Sequence, residues 1–126
     1  MKTFETTRFG TLNTETIPFP EGILGFENSK EFALVDPVDS TNILWLQSVG
    51  DSGMALPVIP SNIVDDKHEK DHYYVLTIPQ DITKMTVNTK APIVIKSGVG
   101  NQIIAKDSGE CNKPIYLELK RYIINN

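Results

Sequence analysis

The chain is poor in the residues that most often carry chemistry. Among 126 residues it has one cysteine, Cys111, and two histidines, His68 and His72. A lone cysteine excludes an internal disulfide and suits a reducing compartment, so a cytoplasmic location is expected. Long hydrophobic runs are missing too. The longest, MALPVIP at 54–60, is interrupted by two prolines and falls well short of the roughly 18 residues of a membrane span. The N-terminal MKTFETTRFG lacks the apolar stretch of a secretory signal. Positive charge is in deficit: 12 basic residues against 16 acidic ones give a formal net charge of −4. That balance argues against direct nucleic-acid binding, which needs cationic surface to displace counterions from phosphates. It would favour a basic protein partner, although the same charge also serves simple solubility. Repeats, low-complexity tracts and linkers are absent, so residues 1–126 read as a single domain.

What is present is a succession of short β-forming runs. Hydrophobic residues make up 40% and charged residues 22%, an ordinary globular balance. The runs are TFETTRF (3–9), TETIPF (14–19), EFALV (31–35), NILWLQSV (42–49), MALPVI (54–59), YYVLTI (73–78), KMTVNT (84–89), PIVIK (92–96), NQIIAK (101–106) and PIYLELKRYII (114–124). Such spacing, with turn residues between, predicts an all-β sandwich or barrel. Pro57 suits an edge or a bulge better than a central ladder. SGVG at 97–100 reads as a hairpin turn. In the last run Ile115, Leu117 and Leu119 share one face, as in a half-buried strand. Eight prolines and eight glycines leave few windows for a helix. The main candidate is SNIVDDKHEKDHYY (61–74), with Ser61 as its N-cap.

That candidate contains HEKDH, a match to the zinc-hydrolase pattern H-E-x-x-H. On a helix, His68 and His72 would face one metal and Glu69 would polarise its water. Catalytic zinc needs a third protein ligand, and there is no other histidine and no glutamate between Glu69 and Glu110. Residues 65–72 are all charged or histidine, so no apolar side would anchor the ligands. The segment therefore reads as a solvated connection between strands, and no metal or cofactor is expected. Ser48 and Ser52 lack a nucleophile-elbow context, and Cys111 in GECNK has no motif-level base. The chain is not expected to be an enzyme.

Three stretches carry more specification than strands need. FPEGILGF (19–26) sets Gly22 and Gly25 around two apolar residues, which implies positive φ or a close approach of another segment. LWLQSV (44–49) places Gln47 and Ser48 directly after an apolar strand. KMTVNTKAPIVI (84–95) sets Asn88, a poor strand residue, among β-formers. Each has a plain structural reading: a local turn for Gly22 and Gly25, satisfied backbone groups at a strand end or bulge for Gln47 and Asn88, and core packing for Phe26 and Trp45.

Together these stretches resemble the family of the flagellar assembly factor FliW. Phe19, Gly22, Ile23, Gly25, Phe26 and Glu27 fit its early F-x-x-G-I-x-G-F-E pattern, and Leu46, Gln47 and Ser48 fit its L-Q-S strand end. Met85, Thr86, Asn88, Ala91, Pro92, Ile93, Val94 and Ile95 fit its M-T-x-N-x-x-A-P-I-V-I stretch, and Gly100, Gln102, Ile103 and Ile104 its G-x-Q strand. The chain departs from the pattern at Thr89, where the family has leucine, and in its C-terminal stretch. Another departure is the short, polar 60–72 region, where relatives carry a longer, aromatic-rich segment. The resemblance spans roughly residues 9–106. It implies a small, partly closed antiparallel β-barrel of about nine to ten short strands. It also implies a non-enzymatic protein that binds flagellin in the cytoplasm and antagonises CsrA, the RNA-binding translational regulator. Partner contacts are expected at Gly22, Gly25, Phe26, Gln47, Ser48 and Asn88. The competing expectation is a β-barrel that binds a small ligand.

Overall fold

A computed structural model describes residues 1–37, 42–64, 71–103 and 112–114. The first two strands, β1 (Lys2–Thr6) and β2 (Gly10–Thr14), form a hairpin of their own. The sequence predicts one strand running on to Phe9. Instead the Thr6 hydroxyl accepts the Phe9 N–H and donates to the Gly10 carbonyl, both at 2.8 Å, and Gly10 turns with φ +69°. A threonine side chain competing for local backbone groups ends the strand three residues early.

The other strands form one antiparallel sheet. They are β3 (Ile17–Pro18), β4 (Glu31–Val35), β5 (Leu44–Ser48), β6 (Ala55–Pro60), β7 (His72–Thr77), β8 (Thr86–Lys96), β9 (Val99–Gln102) and β10 (Asn112–Pro114). From β3 to β9 each strand pairs with the next, a seven-strand meander. Its two ends, β3 and β9, lie against each other, so the sheet curls into a nearly closed barrel, as the family resemblance implies. β10 pairs with Thr86–Asn88, beside the part of β8 that holds β9.

β6 corrects one expectation. It is an interior strand although it contains Pro57, but its ladder with β7 starts only at Val58. Pro57 thus keeps an edge residue's freedom on that side. β8 corrects another, since the two runs read on either side of Ala91-Pro92 are a single strand. The β7 register shifts from Tyr73↔Ile93 to Val75↔Asn88, so β8 holds three more residues than β7 over this interval. Proline is accommodated in that bulge rather than by breaking the strand. Ser97 and Gly98, with φ of +55° and +78°, make the tight β8–β9 turn that SGVG predicts.

Alternation along the strands builds two cores. Phe19, Ile23, Phe32, Leu46, Met54, Val58 and Ile93 fill the barrel, with the Phe19 and Phe32 rings edge-to-face at 5.0 Å. Ile59, Tyr74, Leu76, Met85 and Val87 face the other way and are covered by Ile63 and Val64. Those two residues belong to α1 (Ser61–Val64), the only α-helix among the described residues. The helix predicted over 61–74 does not extend to its far end: Asp71 turns with φ +67° and His72 opens β7. The last strand run, from Ile115 onward, lies outside the described residues.

Candidate functional site

The loop between β3 and β4 is three tight turns in succession. Gly22 N–H donates to Phe19 O at 2.8 Å, with Pro20 and Gly22 at the second and fourth positions that a type I turn favours. Phe26 N–H donates to Ile23 O at 2.6 Å around Leu24 and Gly25, whose φ of +87° is what the third position of a type II turn requires. Ser29 N–H then donates to Phe26 O at 3.1 Å. Gly22 answers both parts of its sequence reading. Its φ is +69°, and a Cβ there would stand 2.7 Å from Glu27 Cα.

The other motif stretches converge on this loop. Ser48 Oγ and Ser29 Oγ share a hydrogen bond at 3.1 Å, which ties the loop's exit to the end of β5. Gln102 bridges its tip to the β8 bulge: its Oε1 accepts Leu24 N–H at 2.8 Å, and its Nε2 donates to Ala91 O at 3.1 Å. Asn88 shapes the bulge by accepting Lys90 N–H at 3.0 Å. Gly100 admits the Phe19 ring, since a Cβ there would lie 2.2 Å from two ring carbons. The barrel seam is closed by side chains rather than by a ladder.

Of the residues expected to meet a partner, Gln47 and Ser48 are fully buried. Gln47 Nε2 donates to Ser48 O at 3.0 Å and lies 3.4 and 3.3 Å from the Asp51 and Ser52 carbonyls, while Ser48 Oγ accepts Asp51 N–H at 3.1 Å. Both residues build the β5–β6 turn and Asn88 builds a bulge, which for Gln47 and Asn88 is the plain structural reading. Gln47 Oε1 has no donor among the described residues, and Gln47 lines a cavity of about 370 Å³ under the β1–β2 turn with Thr7, Arg8, Gly53 and Ala55. Phe26 is not core, being 42% exposed, whereas Trp45 is half-buried with the Arg8 guanidinium 4.1 Å from its ring centre. Sequence reasoning passed over Leu24, 65% exposed at the tip, together with Glu21, which lines the adjoining hollow. These occupy the variable positions of the F-x-x-G-I-x-G-F pattern, and the turn chemistry around Gly25 is the signal that marks Leu24 as a tip.

The HEKDH motif does not assemble as a helical pair. His68, Glu69 and Lys70 lie outside the described residues, while His72 is in a strand opposite Val94. Among the described residues no group of three His, Cys, Asp or Glu side chains could hold a metal ion. No helix among them is long and apolar enough to cross a membrane. Among the described residues, the side chains of Phe19, Ile23, Phe32, Leu46, Met54, Val58 and Ile93 pack the barrel interior.

These features define the class: a filled, nearly closed antiparallel barrel whose polar motif residues hold one exposed loop. The sequence profile of the FliW protein family matches residues 3–71 and 62–114, and the chain belongs to that family. It is similar to the "Flagellar assembly factor FliW" of Lachnospira eligens, at 35% identity over 83% of this chain and 86% of the relative. The proteins of that name from Leptospira biflexa (34%; 83% and 84%) and Thermosipho africanus (36%; 78% and 84%) are comparable. A crystal structure of the flagellar assembly factor FliW shares the fold, with a TM-score of 0.79 at 22% identity over 91% of this chain and 97% of that chain.

Proposed function

We propose that this chain is a non-enzymatic flagellar assembly factor of the cytoplasm, acting as one domain. In this reading it binds flagellin and antagonises CsrA, so that flagellin export frees the factor and couples synthesis to export. Two partners then draw on one pool of protein, and each lowers the amount free for the other. Family membership is the observation that carries this reading. The structure supports it through the filled interior and the exposed, tightly tethered loop, which suit surface recognition better than catalysis. The net charge of −4 suits a basic RNA-binding partner through electrostatic steering. The test is titration of the purified chain with flagellin and with CsrA separately, then with one in the presence of the other. Saturable binding to each is expected. Failure to bind either protein would overturn the proposal.

A further inference from the structure

We propose that the Leu24 tip and the outward face of β9 form one docking surface, whose occupant is a partner segment carrying an apolar side chain beside a lysine or arginine. This rests on the partner-binding reading above, and it assigns the surface to the basic RNA-binding regulator rather than to flagellin.

Four of the six large hydrophobic residues exposed among the described residues lie here: Leu24, Phe26, Val99 and Ile103. Alternation explains Val99 in β9 and Ile103 one residue past its end. Gly100 points inward against Phe19, so Val99, Asn101 and Ile103 point outward. Asn101 and Leu24 line the same hollow of about 140 Å³, with Glu21, Gly22, Glu27 and Gln102. This open hollow leaves space for one apolar side chain to rest against Leu24.

The surface is also preorganised. The Leu24 N–H is held by Gln102, the Ile103 N–H donates to Pro92 O at 2.9 Å, and Glu27 Oε1 accepts Gly25 N–H at 3.0 Å. A partner would order little of this region on binding, which removes a common cost of association. The charge at the rim selects the occupant. Among the described residues, Glu21 and Glu27 line the hollow and Lys30 is the cation that acts on Glu27, so these groups leave the rim net negative. Backbone N–H groups of Gly25 and of Glu27 itself hold the Glu27 carboxyl below its ordinary range, which keeps it ionised. An apolar patch with an acidic rim complements a segment of the opposite pattern and repels nucleic acid or an acidic peptide.

The experiment uses the full chain, CsrA and flagellin, with calorimetric and stopped-flow titrations. Leu24→Ser with Phe26→Ser should weaken CsrA binding at least about tenfold, as loss of an interface anchor does, and leave flagellin within about twofold. Glu21→Gln with Glu27→Gln should slow association and flatten its salt dependence, since rim charges act mainly on the on-rate. This second pair lies on exposed positions and serves if the first fails to fold. Wild-type protein that bound neither partner would overturn the proposed function itself. Wild-type binding with unaltered affinity in both variants would overturn this surface alone. Loss of flagellin with CsrA retained would overturn the assignment. So would a wild-type dimer, seen by sedimentation, that the serine pair dissolves while CsrA binding is retained.

Discussion

Two appendages sit on this barrel, and they are attached by different physics. The β1–β2 hairpin is joined mainly at the surface, with one ring contact, Phe9 edge-on to Trp45 at 6.3 Å. Lys2 pairs with Glu31 at 2.9 Å, Arg8 lies over Trp45, and Thr7 N–H donates to Ser52 O at 2.9 Å. Lys2 and Arg8 are exposed, so water and salt compete for their contacts. The loop from Phe19 to Ser29 is joined through the core. Phe19 and Ile23 belong to the barrel cluster, and Gln102 and Ser48 hold its backbone and its exit. Both appendages are short and glycine-bearing, yet only the loop is locked to the barrel's own stability. Exposed residues on the loop are thereby held in fixed positions, while the hairpin can open at low cost.

The sharpest way to break the comparison is at the seam. Gly100→Ala places a methyl 2.2 Å from the Phe19 ring, which is fully buried and cannot swing aside. Overpacking of this kind should cost about 3 kcal/mol, measured by denaturant unfolding. Phe19→Leu added to Gly100→Ala should recover part of that loss, and a strictly additive double mutant would show that the two do not meet.

Next in size is a contrast between two glycines of the same loop. Gly22 and Gly25 both have positive φ, but only Gly22 approaches other backbone. Gly22→Ala should cost about 2–3 kcal/mol, combining the left-handed penalty with the clash against Glu27. Gly25→Ala should cost about 1 kcal/mol, since nothing lies within 4 Å of its Cβ position. Equal losses would mean that the Glu27 approach relaxes freely.

How much of this was legible follows from where each signal resides. EFALV at 31–35 coincides with β4, and YYVLTI falls within one residue of β7, because apolar β-forming runs bounded by turn residues are local signals. The β8 bulge looks like a break in the sequence because Pro92 reads as an interruption, until the side chains of Asn88 and Gln102 are seen to satisfy the Lys90 N–H and the Ala91 carbonyl beside it. The helix predicted over 61–74 overreaches because an N-cap at Ser61 says nothing about where β7 claims the chain. In the site, glycines and amides were legible as motif residues, but their role as tethers depends on contacts up to 78 residues apart, as between Leu24 and Gln102. No local pattern reports such a contact.

Gln102 sharpens the comparison at an intermediate scale. Gln102→Leu keeps the volume but removes both ends of its bridge, leaving Leu24 N–H and Ala91 O without that partner. Each lost hydrogen bond is worth about 1 kcal/mol, so a loss of about 1–2 kcal/mol is expected. The informative readout is hydrogen exchange at Leu24. Protection there should fall far more than at β5, and uniform loss across the barrel would mean that the loop is not a separate unit.

The smallest effect belongs to the hairpin and appears as pH dependence. Glu31 accepts from the Thr16 hydroxyl and from Lys2, and these contacts, Thr16 first, hold its carboxyl below the ordinary range. A carboxyl with a lowered folded pKa stabilises the fold above the unfolded value of about 4.3 and loses that contribution as pH falls through the folded value. Glu31 is partly solvated, so the ion pair should contribute no more than about 1 kcal/mol. Thr16→Val with Lys2→Met should therefore lower stability slightly at neutral pH, and the loss should shrink as pH falls through the folded Glu31 value. Salt at high concentration should mimic the Lys2 change while leaving the Gln102 effect intact. If salt weakened Leu24 protection as much as it weakened the hairpin, the two attachments would share one electrostatic origin, and the distinction between surface and core tethering would fail.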